Sequence, residues 1–356
     1  MVTMKEIALK SGVTQPTVSV VLNNKKTTVR ISPVTRAKIL ATAESMGYRV
    51  NEIARSVKTG KTNTIGVIGV LCSFHCMEII NGISETASAR NCTLKLWPCS
   101  TLEEVKSAAR KCAEQRLGGV ICRSLTEEEL TAVQTEFKQF GIPVVILVGS
   151  GFIPDGCSSV NSGEFDGAVK AVEYLRHLGH CRIGYVTTRY SGKFNERRLN
   201  GYIEAMRRNG GQEKSIQVVE ISNNDLLPEG DKIKLLAFIR RNRLTACFCG
   251  ADSLAMKVAY VAEAAGFRIP EDLSIVGFGG TDYSAFANPP LTTVHESFRE
   301  MGRQAARVLI QTMENPNFPA EKVEIATELV IRSTCAKPNL NSISKTKQGE
   351  RNETQR

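Results

Sequence analysis

The sequence predicts two kinds of fold in one chain: an all-α head at the N-terminus, and an α/β core of two lobes, each a parallel sheet with helices on both faces. Apolar residues recur at helical spacing through the first 48 residues. From residue 62, short apolar runs alternate with helical stretches, which is typical of parallel sheets. This core is about 270 residues long, more than one sheet usually organises, so two lobes are expected.

Three short helices are predicted in the head. The first ends at Gly12, which can adopt the positive φ of a tight turn. Thr14 can cap the second helix, and Pro16 suits its first turn, where a missing N–H costs nothing. The third begins at Ser32 and ends at Gly47. Two short helices joined by a Gly-containing turn define a helix-turn-helix, whose second helix enters the DNA major groove.

The excess of positive charge is concentrated at the two ends of the chain. Residues 1–61 carry eleven Lys and Arg against three Asp and Glu, 62–336 carry thirty against thirty-one, and 337–356 carry five against two. A basic segment ahead of a nearly neutral body is the electrostatic footprint of a polyanion-binding module. The alternative, a solubilising tail, is disfavoured by the helical pattern of this segment.

The core should contain eight strands with ligands bound beyond their carboxyl ends. No Gly-rich nucleotide motif follows any of them, so an enzyme acting on dinucleotides or nucleoside triphosphates has little support. The predicted strands are Ile65–Leu71, Thr93–Trp97, Gly119–Cys122, Val144–Val148, Ile183–Thr187, Ile216–Glu220, Ala246–Cys249 and Ser274–Gly277.

The chain resembles the lac repressor family of bacterial transcriptional regulators, as a divergent member. The resemblance is carried by motifs in the head, by a segment similar to the family's hinge helix, and by landmarks in the core that occur in the expected order. They lie at 2–8, 11–14, 17–19, 21–23, 31–36 and 46–48, at 51–57, and at 178–185, 196–202, 289–294 and 331–334. The resemblance implies a periplasmic-binding-protein-like core and an operator-binding repressor controlled by a small effector.

The resemblance also implies which head residues contact DNA. Gln15 and Pro16 would discriminate operator bases: Gln can bond adenine, and Pro suits a thymine methyl, so an A/T-leaning outer half-site is expected. Val20 stands where the family often has Arg, so one guanine or phosphate contact should be absent. Phosphate contacts are implied for Thr17, Ser19, Asn23 and Arg30, and hinge contacts in the minor groove for Asn51, Ala54, Arg55 and the wedge residue Val57. A plain linker is the alternative for the hinge.

In the core, the resemblance implies that Arg198 binds the effector in the cleft, together with Asp166 and Asp252. An Arg fork suits a carboxylate, a phosphate or a sugar diol, and an exposed salt bridge is the alternative role. Family members commonly carry Gly-Phe-Asp-Asp where this chain has 277–280 as Gly-Phe-Gly-Gly, and Ala251 replaces a frequent Asn. We therefore expect a non-sugar effector or none. The further candidate effector residues are Ser73, His75 and Gly279.

Cysteine usage and hydropathy bear on the protein's cellular compartment, and the cysteines and histidines bear on metal binding and catalysis. The chain has eleven cysteines, an odd number, and no secretory signal. Both features indicate a protein of the cytosol, where thiols stay reduced. No apolar run has the length of a membrane span. The cysteines at 72 and 76 frame a His, which makes a metal site conceivable, but buried cysteines are usually small hydrophobes, so neither metal nor cofactor is predicted. The four histidines form no catalytic constellation, so an enzyme is not predicted.

The predicted organisation is a headpiece over 1–48, a hinge over 49–61, a two-lobed effector and dimerisation core over 62–338, and a disordered basic tail over 339–356. Because the tail has no Leu heptads, a homodimer on a pseudo-palindromic operator is expected. Two alternatives stay open at this point: a solute-binding protein without DNA function, and a DNA-binding regulator that needs no effector.

Overall fold

The computed structural model describes residues 2–22, 30–49, 62–71, 74–147, 151–188, 193–208, 216–222 and 226–339. The chain divides into two compact units, Met1–Thr62 and Asn63–Arg356. Six of the predicted site residues lie outside the described residues, as does the segment 340–356. They are Asn23, Asn51, Ala54, Arg55, Val57 and Ser73.

The head is a three-helix unit with helices at α1 (Met4–Ser11), α2 (Gln15–Leu22) and α3 (Pro33–Ser45). Thr3 and Glu6 form a capping box at the start of α1, and Gly12 ends this helix in the left-handed region at φ 69°. Ser32 caps α3, accepting a hydrogen bond of 3.1 Å from the Thr35 backbone N–H. The apolar faces of the three helices meet in one core of Ile7, Ala8, Val18, Val21, Ile39 and Ala43.

The first lobe of the second unit is a six-stranded sheet in the order β11-β5-β4-β3-β1-β2, parallel throughout. Helices α5 and α6 cover one face, and α4 and α12 cover the other. The strands are β1 (Thr64–Gly69), β2 (Thr93–Pro98), β3 (Gly119–Arg123), β4 (Val144–Leu147), β5 (Ser158–Ser162) and β11 (Lys322–Ile325), and the helices are α4 (Phe74–Ser88), α5 (Leu102–Glu114), α6 (Glu127–Lys138) and α12 (Phe298–Glu314).

The second lobe repeats this plan with the order β12-β10-β9-β8-β6-β7. Helices α7 and α8 cover one face, and α9 and α10 cover the other. The strands are β6 (Ile183–Thr188), β7 (Gln217–Ile221), β8 (Ala246–Cys249), β9 (Ser274–Gly279), β10 (Thr292–His295) and β12 (Glu328–Val330), and the helices are α7 (Glu164–His177), α8 (Lys193–Arg208), α9 (Glu229–Arg241), α10 (Asp252–Ala264) and α11 (Asp282–Phe286).

The predicted fold class is confirmed, and the eight predicted strands all occur within two residues of their expected ends. Four further strands, β5, β10, β11 and β12, were not predicted. One of them departs from the expected all-parallel sheets, because β12 pairs antiparallel with β10 at the edge of the second lobe. None of the described helices is both long enough and apolar enough to cross a bilayer.

The chain passes between the lobes three times, after β5, after β10 and after β11. The first and third crossings are joined by hydrogen bonds. The backbone N–H of Gly163 donates to the Ile325 carbonyl at 2.9 Å, and the Thr327 hydroxyl donates to the Gly163 carbonyl at 3.1 Å. The second crossing contains Glu296, whose backbone N–H donates to the Gly279 carbonyl at 3.3 Å. These crossings form one wall of the cleft between the lobes.

Helices α4 and α12 approach each other closely through two glycines. A Cβ built on Gly82 would lie 1.9 Å from the Arg299 carbonyl oxygen, and one on Gly302 would lie 2.1 Å from the Ile79 carbonyl oxygen. Only glycine permits this separation, since a side chain at either position would collide with the backbone of the other helix. The contact sets the N-terminal end of α12 beside that of α4, where the cleft begins.

Candidate functional site

The exposed surface of α2 contains no charged side chain. Gln15 and Pro16 are exposed, whereas Thr17, Ser19 and Val20 are partly buried. The remaining side chains of the helix include Val18 and Val21, which are buried in the head core. Arg30 is exposed in the segment before α3. The helix therefore presents short polar and apolar groups, and the cationic charge of the head lies outside it.

A pair of threonines organises the first turn of α2. The Thr17 backbone N–H donates to the Thr14 hydroxyl oxygen at 3.4 Å, and the two hydroxyl oxygens are 2.9 Å apart. Thr14 thus acts as the predicted N-cap, with a long first bond. The Thr17 hydroxyl, predicted to contact phosphate, already has an intramolecular partner in this structure.

In the second unit, Arg198 is the centre of a buried cluster on the cleft side of α8. Its side chain is 8% exposed. One terminal nitrogen donates to a Glu296 carboxylate oxygen at 2.9 Å and the other to the Gly250 carbonyl at 2.7 Å. The guanidinium carbon lies 3.8 Å from the centroid of the Phe278 ring, a cation–π contact. This burial excludes the alternative role of Arg198 as an exposed salt-bridge residue.

Asp252, at the start of α10, is 1% exposed and fully engaged with neighbouring threonines. One carboxylate oxygen accepts hydrogen bonds from the backbone N–H and the hydroxyl of Thr281, at 2.8 and 2.7 Å. The other accepts the Thr293 hydroxyl at 2.5 Å. Since these donors come from the segments after β9 and within β10, Asp252 ties three parts of the second lobe together at the cleft floor.

His75 faces this cluster from the first lobe. Its ring stacks on Phe298 with centroids 4.3 Å apart. A Cβ built on Gly279 would lie 3.3 Å from the His75 Cε1 atom. Burial lowers the pKa of His75, although the charges of Glu296 and Asp252 oppose this effect. The imidazole is therefore held toward its neutral form.

The two glycines after Phe278 are required by this packing. Gly279 and Gly280 both have positive φ, 125° and 68°. A Cβ at Gly280 would lie 2.4 Å from the Nδ1 atom of His295. Any side chain at 280 would have to displace that ring, and the backbone would resist it. Gly279 and Gly280 thus allow a close contact between β9, β10 and α4.

A third buried carboxylate, after Asp252 and Glu296, lies at the first crossing. Glu164 is 2% exposed and lies 3.4 Å from an Arg197 nitrogen. Burial raises the pKa of Glu164 to about 7; Arg198 opposes this shift and Glu296 adds to it. The buried carboxylates of Glu164 and Glu296 thus each pair with an arginine, Arg197 and Arg198, where the lobes meet.

The structure brings four of the predicted effector residues together and leaves one apart. His75, Arg198, Asp252 and Gly279 converge in the cleft. Asp166 is exposed on the first turn of α7, and the buried carboxylate of that turn is Glu164. Three residues of this cluster, Glu164, Phe278 and Glu296, were not among the residues predicted from the sequence. Glu296 could have been found only if β10 and the crossing after it had been predicted.

A buried histidine of the second lobe has a structural role. His180 is 1% exposed, and its two ring nitrogens lie 2.9 Å from the Thr245 hydroxyl and 2.8 Å from the Ala336 carbonyl. It fastens the final described segment to the second lobe. Across the parts of the chain that the structure describes, no cluster of His, Cys, Asp and Glu is arranged to hold a metal ion.

Two family models match the chain, one in each unit. The model for bacterial regulatory proteins of the lacI family matches residues 3–51, and the model for a periplasmic binding protein-like domain matches residues 172–335. Among curated relatives, the HTH-type transcriptional repressor PurR of Vibrio vulnificus (strain CMCP6) is 28% identical over 356 residues, 95% of this chain and 100% of the relative. PurR of Proteus mirabilis (strain HI4320) is 29% identical over 345 residues, 94% and 97% of the two chains.

Solved structures show the same fold. The lac repressor dimer bound to operator and the anti-inducer ONPF has a TM-score of 0.75 at 24% identity, covering 94% of this chain and 99% of that one. The complex of the transcriptional regulator CelR with cellobiose has a TM-score of 0.67 at 23% identity, covering 94% and 100%.

A capped helix-turn-helix head followed by a two-lobed core with a charged cleft defines a DNA-binding transcriptional regulator with an effector-binding core domain. Residues 3–51 match the lacI family of bacterial regulatory proteins, residues 172–335 match a periplasmic binding protein-like domain, and the chain is similar over 95% of its length to a curated PurR repressor.

Proposed function

We propose that this chain is a cytoplasmic repressor, not an enzyme, that binds a pseudo-palindromic operator as a homodimer and responds to a small effector in the cleft between its lobes. The observation that carries the proposal is α2, an exposed helix on a capped three-helix head in a strongly basic segment. Such a helix places short side chains against base edges, while flanking cations attract the backbone.

Selection of bound sites from a random duplex library tests this function. The full chain should enrich a short sequence that reads nearly the same on both strands, because each protomer of a dimer reads one half-site. Enrichment of a single asymmetric site would contradict the dimer. Failure to enrich any sequence would contradict the function itself.

Two head residues should affect DNA binding differently. Gln15→Ala should relax base preference at one position of each half-site, since Gln15 is exposed at the start of α2. Arg30→Ala should weaken binding to every sequence and lower the salt slope, since phosphate contacts carry no sequence information. Kd values for the selected duplex and its single-base variants, at two salt concentrations, check this contrast. Equal loss of specificity in both variants would contradict it.

We propose further that the effector is not a simple sugar. CelR binds cellobiose in the complex named above, and a sugar site needs free hydrogen-bonding partners for hydroxyls. Here Asp252 is occupied by Thr281 and Thr293, and Arg198 holds Glu296. A thermal-shift panel should show no tight binding by mono- or disaccharides, and one tight sugar would refute the proposal. An effector-independent repressor, in which Glu296 permanently occupies Arg198, is the second candidate.

The dimer should involve exposed apolar side chains of the second lobe. Leu226 and Phe286 are 86% and 87% exposed, and Ile233 and Tyr260 are 63% and 60% exposed. Lys232 of α9 lies over the Tyr260 ring of α10 at 5.9 Å, so these helices present their apolar groups side by side. Large apolar side chains that are exposed on neighbouring elements are typical of interaction sites.

A charge placed in this surface should therefore disrupt the dimer. Phe286→Asp is expected to shift the mass measured by light scattering from dimer to monomer, because association would bury an unpaired carboxylate. Phe140→Asp, at a 42% exposed position of the first lobe, is the control and should leave the dimer intact. A dimeric Phe286→Asp protein would place the interface elsewhere.

A further inference from the structure

The centre of the exposed face of α2 is apolar. Residues of an α-helix are rotated by about 100° from one to the next, so Pro16 and Val20 lie within about 40° of each other. The same rotation puts both of them about 160° from Val18, and it puts Pro16 about 140° and Val20 about 100° from Val21. Val18 and Val21 are 0% and 3% exposed in the head core. Pro16, which is exposed, and Val20, which is partly buried, therefore form an apolar ridge on the side of the helix that faces away from the head core.

Polar groups of α2 lie on either side of this ridge. Gln15 and Ser19 are rotated toward one flank of the helix and Thr17 toward the other. The ridge itself offers neither a donor nor an acceptor, because the side chains of Pro and Val are hydrocarbons and Pro has no backbone N–H. A ridge of this composition cannot replace the hydrogen bonds that base nitrogens and oxygens make with water.

The major groove contains one apolar group, the methyl at C5 of a pyrimidine. The nitrogen and oxygen atoms exposed there are donors or acceptors, and pressing them against hydrocarbon would leave them unpaired at a free-energy cost. We propose, as an extension of the proposed function, that Pro16 and Val20 read the C5-methyl groups of two pyrimidines in each half-site. Thymine and 5-methylcytosine both carry this group.

The spacing of the two side chains fits base pairs that are two steps apart. A separation of four residues advances about 6 Å along the helix, close to two base-pair steps of about 3.4 Å each. Each methyl group removed from water should strengthen binding about fourfold, the usual effect of burying one carbon. Because no charge is involved, this contribution should be the same at low and high salt.

Replacement of thymine by uracil removes only the methyl group and tests the proposal on the full chain. In the duplex selected from the random library, each thymine is changed to uracil in turn and Kd is measured by fluorescence anisotropy. We expect two thymines within two base pairs of each other in each half-site whose replacement weakens binding about fourfold. Cytosine at these positions should bind weakly, and 5-methylcytosine should recover part of the loss.

Protein variants then assign the methyl groups. Val20→Ala and Pro16→Ala should each abolish the uracil effect at one position, to within about 1.5-fold, while retaining it at the other. Leu9→Ala, at an exposed position of α1, is the matched control and should retain both effects. Melting curves of the variants should match that of the unaltered protein.

The proposal is overturned if duplexes containing only uracil and only thymine bind within about 1.5-fold of each other, or if the uracil effect persists unchanged in both α2 variants. In either case an enriched, salt-sensitive binding site would still support the repressor function. Failure to enrich any site would instead remove the function on which the proposal rests.

Discussion

Replacing Arg198 by Met is expected to lower the free energy of unfolding of the core by about 3–5 kcal/mol. The substitution keeps most of the side-chain volume and its contact with Phe278, but it removes the charge that neutralises Glu296. Glu296 is 4% exposed, so its carboxylate cannot recover hydration while the core stays folded. Urea unfolding followed by circular dichroism measures the loss.

Two further variants separate the ion pair from packing. Arg198→Met combined with Glu296→Gln should recover most of the stability, because no buried charge is then left unpaired. Arg299→Met removes an exposed partner of Glu85 and should cost less than about 1 kcal/mol. If Arg198→Met alone proves as stable as the unaltered protein, the buried pair is not an important contact of the cleft.

Replacing Glu164 by Gln is expected to stabilise the protein at pH 8 and to remove a pH dependence of its stability. The folded-state pKa of Glu164 is raised to about 7 from an ordinary value of 4.5. The stability that Glu164 contributes to the folded state is therefore fully present below pH 4.5, where its carboxyl is protonated, and is lost as pH rises through 7. A difference of this size corresponds to about 3 kcal/mol between pH 4.5 and pH 8.

The comparison is made between the two proteins at each pH. The pKa values of His75 and His180 are lowered by burial, so both histidines oppose folding at acid pH, but they are present in both proteins and cancel in the difference. The difference in free energy of unfolding should grow with pH from 5 to 8. Asp166→Asn, at the exposed position on the same helical turn, is the control. A constant difference would show that Glu164 does not titrate in this range.

The parts of the fold that were predicted share a local signal. Six of the eight predicted strands are apolar runs buried along almost their whole length, such as Ile183–Thr188 and Ser274–Gly279, and the other two, Thr93–Pro98 and Gln217–Ile221, are edge strands. The helix ends were predicted equally well. Thr14 and Ser32 cap helices by accepting hydrogen bonds from residues three positions further on, and Gly12 ends a helix through its own positive φ. Periodicity and capping are local, so a single sequence contains them.

The missed strands and the cleft pair depend on distant contacts. Ser158–Ser162 is polar, and it is buried because its hydroxyls and backbone pair with other segments; the Ser158 hydroxyl accepts from the Glu321 N–H at 3.1 Å. Lys322–Ile325 and Glu328–Val330 are short edge strands with weak apolar patterns. Arg198 and Glu296 are 98 residues apart and meet only once the second crossing is formed. Asp166 is exposed because of its position around helix α7, and the residue type alone does not reveal that position.

Titration of a random duplex with the full chain at increasing salt tests the central claim most directly. A basic head that neutralises several phosphates should bind at low ionic strength and lose at least about a hundredfold in affinity between about 50 and 200 mM monovalent salt. A chain beginning at Asn63, without the head, should not bind. Absence of binding to any duplex at low ionic strength, or an affinity that salt leaves unchanged, would contradict the account.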